Sequence, residues 1–370
     1  MQLEIQQYLD KGRNYQEYLL EFFSNDINTF QEFIENIESI RDQNDRLEFM
    51  SFLYLLSNIA NNYHRMPNFF NKIDSILLNY KDYIKQNFSQ IELFKIFKKS
   101  KRILLFLLDN KMLTMTQGMA DTITKEFYRK ADYPAYFYYE IRPFINSRLR
   151  EEIEAKIGQI TPDEFNIKRK NAENDNYICN LIRNDLIDDF KQRISTSSLS
   201  QYPKLIEPSI FETNFFLLNR KPTLIEYSAF FGSSDIFKFL NESKNKLPQS
   251  IWLYAIHGNK SDIIQIIEQN NVKPKDESFH ECLIEAIKCH HLEIIEKFTQ
   301  AHPDIISDLI PQIIESYNFA YFPDDKLIDN DTVWHNLNLN NYALFVNIFI
   351  KNQEFDVNKL TISIIFFFNL

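Results

Sequence analysis

The chain has 370 residues, with 41 Lys or Arg against 51 Asp or Glu, which leaves a net charge of −10 at pH 7. Hydrophobic residues at 44% and charged residues at 25% are the proportions of a globular protein, which excludes wholesale disorder. The acidic balance argues against a general nucleic-acid binder, and five glycines leave little room for loops that need close backbone approach.

Those glycines are Gly12, Gly118, Gly158, Gly232 and Gly258, no two of them close together. Their spacing rejects the dinucleotide fingerprint, the phosphate loop and the G-x-S-x-G elbow. The cysteines, Cys179, Cys282 and Cys289, form no disulfide framework. The longest apolar runs, at 103–108 and 364–368, fall far short of the ~20 residues of a spanning helix. The opening Met1-Gln2-Leu3-Glu4-Ile5 lacks the basic and apolar regions of a secretory leader. Together these features predict no membrane span and a reducing compartment, the cytoplasm, with nuclear entry left open.

Residues 1–130 read as consecutive helices that form an N-terminal helical domain. Segment 46–60 is apolar nearly all round, as a helix inside a stack should be. Over 69–84 the apolar positions recur at three and four, which predicts one helix with Asn, Lys and Asp on its far side. Segments 91–97 and 103–108 continue the pattern around the polar break Lys98-Lys99-Ser100-Lys101-Arg102. Alternation of period two is scarce, so an all-α fold is expected. Between 131 and 170, Pro134, Pro143, Pro162 and the aromatic run Tyr136-Phe137-Tyr138-Tyr139 interrupt the periodicity. That stretch is read as an ordered connector with at most a short helix at 151–157.

The second half repeats itself at 223–240, 250–267 and 281–298. Each copy has a small residue (Ala229, Ala255, Ala286), a turn three residues later (Gly232, Gly258, Cys289) and then an acid (Asp235, Asp262, Glu293). The small residue lets two antiparallel helices approach, the turn residue takes left-handed backbone, and the acid suits the positive end of the next helix. A looser copy at 177–190 has Asn184 at its turn, ahead of a long insertion at 195–221. A fifth runs from 342 to 350 and leads into Phe355-Asp356-Val357-Asn358.

This pattern resembles the ankyrin repeat, whose T-P-L-H-x-A-A-x-x-G-H-x-E-I-V consensus is echoed at 223–236 and 286–295. The T-P-L-H tetrapeptide is degenerate throughout, and the repeats are shorter than the usual ~33 residues. The blocks Pro208-Ser209-Ile210-Phe211-Glu212-Thr213-Asn214, Leu253-Tyr254-Ala255-Ile256-His257-Gly258 and Ile287-Lys288-Cys289-His290-His291 look like a large protist family. Its members carry a helical N-terminal region followed by divergent ankyrin repeats. The resemblance implies an ankyrin-like α-solenoid of about five repeats over 171–358. The apolar tail at 359–370 reads either as a truncated repeat or as a short helix folded back onto the fifth repeat. It implies an interaction scaffold and supplies no catalytic residues.

Several clusters invite chemistry. His280, Cys282, Cys289, His290, His291 and His302 are zinc-ligand types, but their spacing fits no structural zinc pattern, and three of them coincide with a repeat turn. Lys98-Lys99-Ser100-Lys101-Arg102 is read as a solvated helix junction, with a phosphate-binding or nuclear-targeting patch as the alternative. Tyr136–Tyr139 is read as core packing rather than a base-stacking platform. The pairs Asp188-Asp189 and Asp324-Asp325 are read as caps and solubilising loop residues. Trp252 fits either a groove or a packed position. No catalytic, cofactor-binding or metal-ligating residue is therefore assigned and no cofactor is expected. The expected function is a non-catalytic protein–protein interaction scaffold whose partner is unidentified, using hairpin tips and first-helix positions. A regulatory adaptor whose N-terminal helices recruit a second effector is the alternative, and an enzyme of unknown type a remote third. No nucleic-acid partner is expected, and the apolar tail would promote self-association.

Overall fold

The computed structural model describes residues 2–24, 29–41, 45–66, 68–195, 205–218, 220–242, 246–276, 278–301 and 305–322. All regular structure among them is helical, so the chain is all-α. His302, Asp324-Asp325, the copy at 342–358 and the tail at 359–370 lie outside the described residues.

Helices α1 (Gln2–Ser24), α2 (Phe30–Ile40) and α3 (Arg46–Asn62) open the chain. Two helices, α4 (Phe69–Asn79) and α5 (Lys81–Asn87), replace the single one expected over 69–84, because Tyr80 leaves helical backbone at φ −96° and ψ 11°. Next come α6 (Gln90–Phe97), started by a reciprocal cap between Ser89 and Glu92, then α7 (Lys101–Asp109) and α8 (Gln117–Ile123).

Residues 131–170 are more helical than their prolines suggest. After the short α9 (Glu126–Lys130), α10 (Tyr133–Tyr136) and α11 (Tyr138–Ile141), α12 (Ser147–Ile157) and α13 (Pro162–Asn171) run for 11 and 10 residues. The at-most-short helix expected at 151–157 is thus corrected. Asn146 caps α12, and Pro162 begins α13 behind the Thr161 cap, at the first helical position, where an N–H would have no acceptor within the helix.

The helical pairs follow: α14 (Tyr177–Arg183) and α15 (Ile187–Ser195), α16 (Leu224–Phe231) and α17 (Ser234–Asn241), α18 (Ile251–Gly258) and α19 (Ser261–Gln269), α20 (His280–Lys288) and α21 (Leu292–Ala301). Two short helices, α22 (Ile305–Asp308) and α23 (Ile310–Glu315), precede a 3-10 turn at Phe319–Tyr321.

Packing sorts these elements into two compact units, each gathered from distant stretches of sequence. One holds Met1–Ile59, Met66–Lys72 and the described part of Ala286–Leu370; the other holds Ala60–Arg65 and Ile73–Glu285. The boundaries read at 130 and 170 follow composition, whereas these units follow contact.

In the first unit, Phe22 stacks on Phe33 with ring centroids 4.6 Å apart, and the Lys72 ammonium donates to the Phe22 carbonyl at 2.8 Å. Helix α1 is fastened to residues 317–322. Arg13 donates to the carbonyls of Phe319 and Phe322, both at 3.3 Å, and the Gln16 amide donates to Asn318 at 2.9 Å. Asn318, fully buried, donates in turn to the Ile287 carbonyl at 2.9 Å. Gly12 is needed on α1, since a Cβ there would lie 2.6 Å from the Phe319 ring.

In the second unit the pairs stack in two layers. First helices lie on first helices, with α16 between α14 and α18; second helices lie on second helices, with α17 between α15 and α19. The residues that seal the layers are buried: Phe190 on α15, Ile236 and Phe237 on α17, Ile263 and Ile267 on α19. Each such side chain contributes roughly 1.5–3 kcal/mol relative to exposure.

Candidate functional site: the hairpin stack and its covered inner face

Three turns in the second unit link the stack from tip to tip. Gly232 ends α16 in left-handed backbone (φ +66°), donating to Ala229 and Ser228, as a glycine closing a helix does. In the neighbouring pairs the left-handed residues are Asp185 (φ 49°) and Asn259 (φ 48°), and in the following one His290 (φ 56°). The register read from the sequence is therefore one residue early at Asn184, Gly258 and Cys289. Gly258 remains helical, and its small size serves another purpose. A Cβ there would overlap the Ala229 carbonyl oxygen and lie 3.1 Å from the Gly232 nitrogen, so two hairpins touch backbone to backbone.

Acids join the tips. Both carboxylate oxygens of Asp185 accept from the first turn of α17, at Asp235 N and Ile236 N, each at 3.0 Å. Asp262 accepts from the Ser234 hydroxyl at 3.0 Å and pairs with Lys238 at 3.0 Å. The anions thus sit where helix N-termini concentrate positive potential. Thr223 and Glu226 cap α16 reciprocally, and Ser250 donates to Glu226 at 2.6 Å, a further link between successive pairs.

The inner face, made by the first helices, is filled by the chain itself. Phe216 stacks parallel to Phe230 at 5.8 Å, meets Tyr254 edge-on at 5.1 Å and lies 4.2 Å from the His257 ring. The guanidinium of Arg220 lies over the Phe216 ring at 4.1 Å. The segment carrying Phe216 is pinned by its own turns: Glu212 accepts from Thr213 N and Asn214 N, both at 2.8 Å, and Asn214 accepts from Phe216 N at 3.0 Å. Asn214 also donates to the Asn61 carbonyl at 3.2 Å, and Thr213 to the Ala172 carbonyl at 2.7 Å. First-helix positions are consequently buried: Tyr227, Phe230, Tyr254 and His257 are at most 4% exposed. The expectation that these positions offer a partner surface is corrected by that packing. The second helices do face outward, with Asp188, Asp189, Lys191, Asp235, Lys238, Gln265 and Glu268 exposed.

Behind this segment lies a buried charged seam that the sequence reading missed. Lys101, fully buried, donates to the Glu212 carbonyl at 3.0 Å and sits over the rings of Tyr133 and Tyr136 at 5.2 and 5.3 Å. Burial pulls its ammonium down to about 7, against weaker support from Asp132 and Glu212. Arg102 grips Asp74 with two bonds, at 3.2 and 2.6 Å, and donates to the Lys170 carbonyl at 3.1 Å. The solvated-junction reading of 98–102 is therefore wrong for these two residues. Arg183 pairs with Glu173 at 2.6 Å and donates to the Tyr227 hydroxyl at 3.1 Å.

The remaining candidates are accounted for by packing. Tyr136 and Phe137 are fully buried and Tyr138 nearly so, while Tyr139 is 37% exposed and meets Phe165 edge-on. The Tyr136 hydroxyl donates to the Arg169 carbonyl at 2.8 Å, and Arg169 returns a bond to the Tyr136 carbonyl at 3.0 Å. Trp252 is buried, donating to the Val272 carbonyl at 2.6 Å. Asp188 and Asp189 stand exposed in the first turn of α15. Cys282, Cys289, His290 and His291 are buried, while His280 is half-exposed at the start of α20. Among the described residues no three His, Cys, Asp or Glu side chains converge to hold a metal. Burial pushes the Cys179 and Cys282 thiols up to about 12, far from thiolate chemistry at neutral pH. His257 bonds to Glu285 at 3.1 Å, with its ring stacked on Phe230 at 5.1 Å.

Comparison of the chain with protein families, with curated proteins and with solved structures gave no match. Among the described residues, no helix is long and apolar enough to cross a membrane.

Proposed function

We propose that the chain is a non-catalytic protein–protein interaction scaffold, a divergent ankyrin-type array of helical hairpins behind a helical N-terminal region. The observation that supports this reading is the repeated tip geometry of three successive hairpins. Left-handed turns at Asp185, Gly232 and Asn259 recur, and acids in one tip serve the helix start or cation of its neighbour. Such an array holds its outer surface rigid, so little ordering cost is incurred on binding. With the inner face filled by Phe216, the partner surface is the outer row of α15, α17 and α19 with the hairpin tips. No nucleic acid is proposed as a partner, and a cytoplasmic setting suits the three buried free thiols.

The test is affinity purification from the native cell with the full chain and with a variant combining Lys191→Glu, Lys238→Glu and Glu268→Lys. A protein recovered by the first and lost by the second, and bound again when both are purified, supports the reading. Equal recovery of every protein by both chains contradicts it.

A further inference from the structure

The insertion ahead of α16 leaves and returns at one point, since Ile206 N donates to the Pro222 carbonyl at 2.7 Å. Lys221 pairs with Glu207 at 2.6 Å, and Asn174 donates to the Glu207 carbonyl at 2.9 Å, so this neck is well fastened. Beyond the neck, 207–218 holds turns but no helix or strand. Those turns are closed from within. Besides the bonds at Glu212 and Asn214, the Ser209 hydroxyl accepts from Phe211 N and the Asn214 carbonyl from Leu217 N, both at 3.1 Å. A loop closed by its own side chains keeps its shape when it leaves the surface beneath it.

Its hold on that surface is of another kind. The loop rests on Phe216, in the cleft of Phe230, Tyr254 and His257, and on isolated hydrogen bonds with Asn61, Lys101, Ala172 and Asp175. Closure also buries two polar groups at a loss. Lys101 is 0% exposed with its ammonium bonded to one acceptor, the Glu212 carbonyl. Glu212 Oε2 is buried with no hydrogen-bond partner among the described residues. Water would satisfy both on opening, which offsets part of what the docking of Phe216 gains.

We propose that 207–218 is a strap, hinged at Ile206 and Pro222, that lifts as a unit while the rest of the chain stays folded. Lifting uncovers the Lys101 amine and the aromatic cleft of Phe230, Tyr254 and His257 together, because one rigid loop covers both. The strap is a property of the free chain and stands or falls independently of the outer-row reading.

Pulse labelling of the full chain with a water-soluble N-hydroxysuccinimide ester, read lysine by lysine with mass spectrometry, tests it. Exposed Lys125 is the reference. In the parent, Lys101 should label about a hundredfold or more slower than Lys125. Its rate should stay nearly flat with urea below the unfolding transition, because lifting a loop exposes little surface. Phe216→Ala should speed Lys101 labelling about tenfold or more without urea, with Lys125 unchanged. Ile263→Ala, in the second layer of the stack, should lower the unfolding midpoint yet leave Lys101 labelling without urea as in the parent. Lys101 labelling that follows urea as steeply as global unfolding, or that rises equally in both variants, overturns the proposal.

Discussion

The α-carbon of Gly258 meets the carbonyl oxygen of Ala229 so closely that a methyl group on it would overlap that oxygen. Adjacent hairpins thus approach at backbone distance, and the neighbour that would have to yield is helix α16 itself. Gly232 has a different constraint, a left-handed φ of +66° with the flexible Lys260 side chain beside it.

Substitution by alanine should therefore separate the two glycines. Gly258→Ala should cost about 1–3 kcal/mol by overpacking a contact that cannot relax. Gly232→Ala should cost about 1–2 kcal/mol, from left-handed backbone together with displacement of the Lys260 side chain, whose Cγ the new Cβ would overlap. Urea titration of both variants measures the losses, and a Gly258→Ala variant as stable as the parent would contradict the contact described.

Asp185 caps α17 from the preceding hairpin. Asp185→Ala should cost about 1–2 kcal/mol in the same titration, and Asp185→Asn less, since asparagine tolerates φ 49° and keeps one acceptor. Equal losses in the two variants would mean that charge, and not the paired hydrogen bonds, matters at this tip.

Lys101 gives the fold a pH dependence of definite sign. Its folded-state pKa, about 7, lies below the ordinary 10.5 of the unfolded chain, so between these values the unfolded state binds more protons. Stability from this group therefore rises with pH across that window. Relative to Lys101→Met, the parent should gain on the order of a few kcal/mol from pH 7 to 10. A parent-minus-variant difference that stays flat with pH would show that the ammonium is not desolvated.

On the acid side, burial holds His64 at about 4 and His290 at about 3. Both are neutral when folded and charge near 6.5 when unfolded. Their contribution is intact above pH 6.5 and is lost as pH falls toward 4 and 3. His290→Asn suits the left-handed φ of 56° and should flatten the loss of stability between pH 6.5 and 4. An unchanged acid limb in the variant would assign that loss to other groups.

The hairpins at 223–240 and 250–267 were legible because their small residue, turn and acid recur in the same order within a few residues of one another, with one residue of slippage after the turn. The one-residue slip at Gly258 arose because glycine has two uses, left-handed backbone and close approach, and spacing cannot tell them apart. Helix α12 was read four residues short, at 151–157, and α13 was missed because Pro162 reads as a breaker, although proline at a first helical position starts a helix. The inward turn of Lys101 and Arg102 had no local signal. Their acceptors, the Glu212 and Lys170 carbonyls and the Asp74 carboxylate, lie 28 to 111 residues away. Phe216, which fills the inner face, sits in an insertion without periodicity, so its role depends on where the chain folds back.

Hydrogen exchange on the complex with the recovered partner tests the central claim most directly, the use of the outer row over a filled inner face. The account predicts new protection in α15, α17 and α19, with 211–218, α16 and α18 exchanging as in the free chain. New protection confined to α16 and α18, with faster exchange across 211–218, would mean that the partner displaces Phe216, and would contradict it.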